Sequence, residues 1–325
     1  MKRILVSGAS GIVGYGVLRS LRQSGDDCFL VGTTIHTGSV APAFCDVCEQ
    51  APHTSSPNYL DWLLATVRRH RIDMLIPGIE IDVHHWVDHV SEIETTGAFP
   101  LLNDPALIAL CKDKWHFFQH LQRAGVACAI ESSLEPEYDA LVASYGQPFL
   151  LKPRRGFGSR GIVRVESAAQ FTAHRSEIGP HLMAQPIVGT DDEEFTTSAF
   201  CDGNGSSFAM MTLRRTLSRD GFTDTAAVAD SAEFAPTIAE LCRLLRPLGP
   251  TNFQFRRCAD GPKLLEINPR VSSSTSIRSA FGYNESRMAV DFFLKQRAPA
   301  QPAIRTGHAV RYTDERIFYD DGIHL

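Results

Sequence analysis

Apolar positions recur along this chain in two rhythms. Ile4-Leu5-Val6, residues 29–32 and residues 74–78 are short continuous apolar runs, the signature of strands buried on both faces of a sheet. Between them, residues 15–22 and Tyr59–His70 repeat apolar residues at helical spacing, the second with Leu60, Leu63, Leu64 and Val67 on one face. Residues 82–93 read as a further helix. Asn103-Asp104-Pro105 caps the next one, and another helical stretch covers 114–124. Such alternation predicts a parallel sheet wrapped by helices. After Ser144-Tyr145-Gly146 the rhythm changes. Residues 149–153 and 161–165 predict a hairpin around a glycine-rich turn, and later strands fall at 195–200, 208–213, 252–257 and 263–267. The second half is thus expected to be antiparallel α+β, with a peripheral tail past Gln296.

Composition adds limits to this picture. The 325 residues are 43% hydrophobic and 21% charged, with a net charge of −5, enough apolar material for two cores and no basic field for nucleic acid. A small-molecule substrate is the better expectation. The N-terminal apolar run is too short for a signal peptide, and no stretch reaches the ~20 apolar residues of a membrane span. Eight scattered cysteines suit reduced thiols and a cytoplasmic protein. Cys45 and Cys48 form a lone CxxC without a second pair, read as two half-buried thiols rather than a zinc or redox centre.

The stretch Gly8-Ala9-Ser10-Gly11-Ile12-Val13-Gly14 follows the first strand and opens the first helix, where a dinucleotide fold places a pyrophosphate. That fold also needs an acidic residue at the end of the second strand for the ribose. Here the strand ends in Thr33 and Thr34, with His36 beyond. No hydride-transfer pair is visible either, so a nicotinamide oxidoreductase is disfavoured. His85 and His89 stand one helical turn apart, but no Glu follows His85, and the zinc-protease arrangement is absent. Glu80 and Asp82 follow a strand's C-terminal end, where open α/β sheets bind ligands.

The chemistry concentrates after position 110. Lys152 ends an apolar strand before Arg154-Arg155-Gly156-Phe157-Gly158-Ser159-Arg160-Gly161, a cation beside free backbone N–H groups suited to polyphosphate. In Leu264-Leu265-Glu266-Ile267-Asn268-Pro269-Arg270, strand periodicity puts Glu266, Asn268 and Arg270 on one side. A carboxylate and an amide oxygen together suit a hard cation such as Mg²⁺ or Mn²⁺. Gln254, twelve residues upstream of Glu266 on the preceding strand, is positioned to face the same ion.

These segments, with QPIVGTDDEEFTTSAF (residues 185–200) and NFQFR (252–256) between them, resemble in order and spacing the ATP-grasp enzymes, closest in look to the carbamoyl-phosphate-synthetase-like group. The resemblance covers residues 1 to about 295. It implies a Rossmann-like pre-ATP-grasp domain (1–104) and then a two-lobed ATP-grasp fold. That fold would consist of a small lobe with the phosphate hairpin (105–182) and a large lobe with the metal site (183–298), leaving a tail at 299–325.

By position, the resemblance implies that Lys114 and Lys152 reach the ATP phosphates, under a hairpin that includes Arg155, Gly156, Gly158, Ser159 and Gly161. Gln185 stands where the family usually has Glu and would accept from the adenine amino group. The Ile187 backbone would meet the adenine edge, and Glu194, with Glu193 as the competing choice, the ribose. Gln254, Glu266 and Asn268 would hold Mg²⁺, Arg270 would face the γ-phosphate, and Arg214 would aim at substrate or phosphate. The implied activity is ATP-dependent ligation of a carboxylate to an amine or other nucleophile through an acyl phosphate. A kinase that stops after phosphorylating its substrate is the alternative. Substrates would lie near Glu80, Arg214, Arg270 and Arg278, and a homodimer is a family-level expectation.

Overall fold

The computed structural model describes residues 1–25, 28–156 and 161–320. Its first hundred residues form a parallel sheet of β1 (Lys2–Val6), β2 (Cys28–Thr34), β3 (Val47–Gln50), β4 (Met74–Ile76) and β5 (Phe99–Pro100), in the order β3-β2-β1-β4-β5. Leu5, Val31 and Leu75 pack under α2 (Tyr59–His70), α3 (Glu80–Asp88) and α4 (Val90–Glu94), while Ile4, Val6 and Ile76 pack on the opposite face under α1 (Ile12–Gln23). Covering both faces explains the continuous apolar runs. The helix expected over 82–93 is broken instead: His89 leaves helical geometry at φ −128° and separates α3 from α4. β3 and β5 escaped the apolar pattern because both are edge strands, one polar and one only two residues long.

The chain then crosses α5 (Pro105–Cys111), α6 (Lys114–Arg123) and α7 (Tyr138–Tyr145). The Asp104 side chain accepts from Leu107 N and caps α5 with Pro105 behind it. The expected hairpin appears as β6 (Phe149–Pro153) against β7 (Val163–Val165). After α8 (Ala168–His174), β8 (Leu182–Pro186) adds to the other side of β6, giving a three-stranded sheet.

The largest sheet contains β9 (Glu194–Asp202), β10 (Ser207–Leu217), β11 (Thr223–Ala229), β12 (Leu248–Cys258), β13 (Gly261–Asn268) and β14 (His308–Val310), in the order β13-β12-β9-β10-β11-β14. One face is apolar: Phe195, Phe253 and Phe255 join residues of α6 and of α9 (Ala235–Leu245) in a single core. The other face lies under α10 (Thr275–Ala280) and α11 (Glu285–Ala289) and buries the polar Thr196, Ser198, Asn252 and Arg215 beside Ala209, Met211 and Leu213, which pack on Ile277 and Tyr283. The tail is less peripheral than its composition suggests, because β14 closes the sheet edge beside β11. Next to it, Arg311 donates to the carbonyls of Thr223 at 2.7 Å and Ser273 at 2.6 Å. Among the described residues no helix is long and apolar enough to cross a membrane.

Candidate active site

Two places compete for a ligand, and their geometries differ. The first is the glycine turn between β1 and α1. A Cβ on Gly14 would lie 2.2 Å from Gly8 O, and one on Gly78 2.1 Å from Ser7 O. Glycine is needed there so that the turn can pack against itself and against the end of β4. Ala9 N donates to Thr33 O at 2.9 Å and the Ser10 and Thr34 hydroxyls are 2.9 Å apart, so the turn is also tied to the end of β2. The His85 and His89 rings lie 4.7 Å apart between centroids, tilted by 37°. Among the described residues no three His, Cys, Asp or Glu side chains converge as a metal set.

The second place is the polar face of the six-stranded sheet. Strand register brings its side chains together. Gln254 lies opposite Glu266 and Asn252 opposite Asn268 across β12 and β13, and Gln254 lies opposite Thr196 across β12 and β9. Asn268 Nδ2 donates to Glu266 Oε1 at 2.9 Å, so the carboxylate and the amide are adjacent as the sequence spacing implied. Arg270, just past the strand end, donates from Nε to Glu80 Oε2 at 2.7 Å, and its Nη2 is 2.7 Å from the same oxygen. Glu80 comes from the N-terminal lobe, so this ion pair joins the two lobes at the cleft. Burial acts to raise the Glu80 carboxyl, but Arg270 with His84 and Lys114 outweighs it and holds the group below its ordinary range.

Glu80, Lys114, Gly156, Glu266 and Asn268 line one cleft, enclosing about 390 Å³ together with the solvent at its mouth. Lys114 starts α6, whose N-cap Asp113 also bonds the Arg154 guanidinium at 2.8 Å. Lys114 N donates to Arg154 O at 2.8 Å and its Nζ to Gly156 O at 2.6 Å. The Arg155 guanidinium is 3.4 Å from Asp113, exposed at the hairpin's base. Lys152, half-buried on β6, has its ammonium pushed down to about 8, mainly by burial and also by Arg256 and Lys114, against the pull of Glu266 and Glu194. Gly161 follows with φ +74°. Gly158 and Ser159 lie outside the described residues.

Gln185 lies opposite Leu150 while Lys152 lies opposite Met183, so Gln185 and Lys152 share a face of the small sheet. Gln185 is fully buried; its Nε2 donates to Ser132 Oγ at 2.8 Å, and its Oε1 has no partner. A buried acceptor left empty costs free energy, and an adenine amino group is a donor of the kind it lacks. Ile187 follows directly after β8, half-buried. The residues present therefore fit a nucleotide, and the Glu266 and Asn268 oxygens fit a hard divalent cation.

Four of the expected residues have surroundings that the sequence did not foresee. Arg214 does not face this cleft. It pairs with Phe195 in register, on the apolar side, where it is exposed and bonds the Asp192 carbonyl at 2.7 Å. Its neighbour Arg215 is the cation on the polar face, with Nη2 2.9 Å from Glu194 Oε1 and 2.6 Å from Gln254 Oε1. Glu194 is buried in an ion pair with Arg215 through Oε1, with Arg256 3.6 Å from Oε2; Glu193 pairs with Arg257 at 2.9 Å. Gln254 has its oxygen engaged by Arg215. Finally, Arg278 is wholly buried, donating to Ser272 Oγ, Thr196 and Asn252 and facing Glu285 at 3.6 Å.

Comparison with known proteins agrees with this architecture. A family model described as "ATP-grasp in the biosynthetic pathway with Ter operon" matches residues 180–316. An uncharacterized protein y4rH of Sinorhizobium fredii is 26% identical over 197 residues, covering 53% of this chain and 38% of that protein. The carbamoyl phosphate synthase large chain of Acidobacterium capsulatum is 24% identical over 184 residues, covering 52% of this chain and 17% of that one. The chain thus spans well under half the length of either curated relative. Among solved structures, N5-carboxyaminoimidazole synthetase from Staphylococcus aureus superposes with a TM-score of 0.72 at 16% identity, covering 93% of this chain and 80% of that one. A biotin carboxylase–nucleotide complex from Campylobacter jejuni gives 0.73 at 16% identity, covering 94% and 74%. These likenesses establish the fold.

Proposed function

We propose that this chain, which carries an ATP-grasp domain over residues 180–316, is an ATP- and Mg²⁺-dependent ligase joining a carboxylate to an amine. The observation that carries the reading is the single cleft in which Lys114, Glu266, Asn268 and Glu80 converge, with the empty Gln185 acceptor on the neighbouring sheet. The two solved neighbours are a synthetase and a carboxylase, which supports the reaction class. Eight cysteines scattered along the chain without a dense framework suit a reducing compartment such as the cytoplasm.

The chain's own residues would act by placement and charge. Gln185 Oε1 accepts from the adenine amino group, and Lys152 and Lys114 neutralise the phosphates. A divalent ion on Glu266 and Asn268 would withdraw charge from the terminal phosphate. A carboxylate oxygen attacks the γ-phosphorus as the bond to ADP breaks. Arg270, released from Glu80, steadies the transferring group. The amine nitrogen then attacks the carbonyl carbon, phosphate departs with the C–O bonding pair, and the nitrogen loses a proton to solvent. No covalent enzyme intermediate is needed, consistent with a cleft that holds cations and carboxylates rather than a nucleophile–base pair.

The test supplies Mg-ATP, a panel of amino acids and small acids, and hydroxylamine. The expected product is a hydroxamate formed in step with ADP, since an acyl phosphate acylates hydroxylamine. ADP release without hydroxamate across acids that turn over would assign the chain to the kinases instead.

A further inference from the structure

Gln254 occupies the register position of a third metal ligand but has the bonding of a different residue. Its only side-chain oxygen accepts from Arg215 Nη2 at 2.6 Å. Arg215 is buried to 5% exposure. Its Nε and Nη2 both donate to Glu194 Oε1, at 3.1 and 2.9 Å, and its Nη1 reaches Thr223 Oγ1 at 3.4 Å. The guanidinium is thus held along three edges by residues of β9, β11 and β12.

We propose that Arg215 is a fixed cation in the wall of the nucleotide cleft, with Gln254 as its positioning residue, so that the divalent ion rests on Glu266 and Asn268 without Gln254. The inference builds on the nucleotide reading above. A doubly charged ion sharing the Gln254 oxygen would stand beside a buried guanidinium, where little water screens their repulsion. Glutamine also brings no negative charge to offset either cation. On this wall Arg215 is paired with Glu194 and Arg256 with Asp191 at 2.5 Å, and the surplus cation is Lys152, close enough to feel Glu194 as well. Such a surplus suits a polyphosphate. Asn268 is different. The guanidinium nearest its Oδ1 is Arg270 at 3.4 Å, whose shorter contacts run to Glu80, so this oxygen is loosely engaged and available to an ion.

Mn²⁺ and the non-hydrolysable adenosine imidotriphosphate serve as probes on the full chain, with bound Mn²⁺ read by electron paramagnetic resonance and nucleotide by calorimetry. Gln254→Met should leave Mn²⁺ affinity of the nucleotide complex within about 2-fold of wild type, whereas Glu266→Gln should weaken it by about 10-fold or more. Arg215→Met should weaken metal-free nucleotide binding by about 10-fold or more. If that variant does not fold because Glu194 loses its partner, Arg215→Met/Glu194→Gln removes both charges and carries the same expectation. Loss of Mn²⁺ in Gln254→Met comparable to that in Glu266→Gln, or wild-type nucleotide affinity without Arg215, would overturn the proposal. A wild-type chain that binds no nucleotide at all would instead bring down the nucleotide reading, and this inference with it.

Discussion

The protein has two glycine-rich turns, each following an apolar strand, and they use glycine for opposite purposes. At Gly8–Gly14 the backbone is packed so closely that a single methyl group on Gly14 would collide with the carbonyl of Gly8 at 2.2 Å. At Gly156, after the second strand, an added Cβ would meet nothing within 4 Å among the described residues, although its φ is +119°. The first turn spends its glycines on its own closure. Among the described residues, the second leaves Gly156 uncrowded beside Lys114 and the exposed Arg155. A glycine motif therefore marks a ligand only when its backbone leaves room and charge beside it; otherwise it marks close packing.

Substitution at the first turn is the strongest way to break this comparison. Gly14→Ala should destabilise the protein by about 3 kcal/mol, because backbone rather than a flexible side chain must move. Nucleotide affinity of the molecules that remain folded should not change. Denaturant melts and calorimetry of ATP binding check both halves. A normal melt combined with weakened ATP binding would make the first turn the ligand site after all. Gly156→Ala, strained only in φ, should cost ~1–2 kcal/mol.

Legibility in the sequence divides along the same line. Lys152, Glu266 and Asn268 stand out because each sits in a local strand pattern that the structure reproduces; Lys114, singled out only through the resemblance, starts a predicted helix and shares the cleft of Glu266 and Asn268. Arg215 could not. Arg214 and Arg215 are neighbours, and choosing between them needs the β9–β10 register that puts Arg214 opposite Phe195. The Met211 and Leu213 parity that Arg215 shares was visible, but which side of the sheet would become the cleft was not. The Glu80–Arg270 pair spans 190 positions, beyond any periodicity argument. β8 went unseen because Leu-Met-Ala-Gln-Pro has little β preference of its own; pairing with β6 makes it a strand.

The second turn's charge can be tested through Lys152. Its ammonium titrates at about 8 in the folded chain against ~10.4 when unfolded. The unfolded chain thus binds more protons between these values, and wild-type stability should rise with pH across that window. Below about pH 8 the full cost of holding the buried charge is present. Lys152→Met removes it, so at pH 7 the variant should be more stable by about 1–2 kcal/mol while binding ATP about 30-fold more weakly. Wild-type ATP affinity should fall as pH rises through about 8, and the variant should lack that limb. Equal affinities at pH 7 would remove Lys152 from the phosphate site.

The smallest expected effect is the most specific. Gln185 Oε1 is buried with no partner, while its Nε2 is committed to Ser132. If that oxygen waits for the adenine amino group, Gln185→Leu deletes an unsatisfied acceptor and one hydrogen bond together, and the fold should change little in stability. ATP affinity should drop about 5-fold, roughly the worth of one neutral hydrogen bond in a buried site. The sharper reading is discrimination. Guanine presents a carbonyl where adenine presents the amino group, so wild-type chain should reject GTP because two acceptors would face each other without a proton between them. Leucine is indifferent to either base, so the ATP-to-GTP preference should collapse in the variant even as both bind weakly. Competition of each nucleotide against a fluorescent ATP analogue measures this directly. An unchanged preference in Gln185→Leu would place the adenine elsewhere and leave the orphaned oxygen to an ordered water.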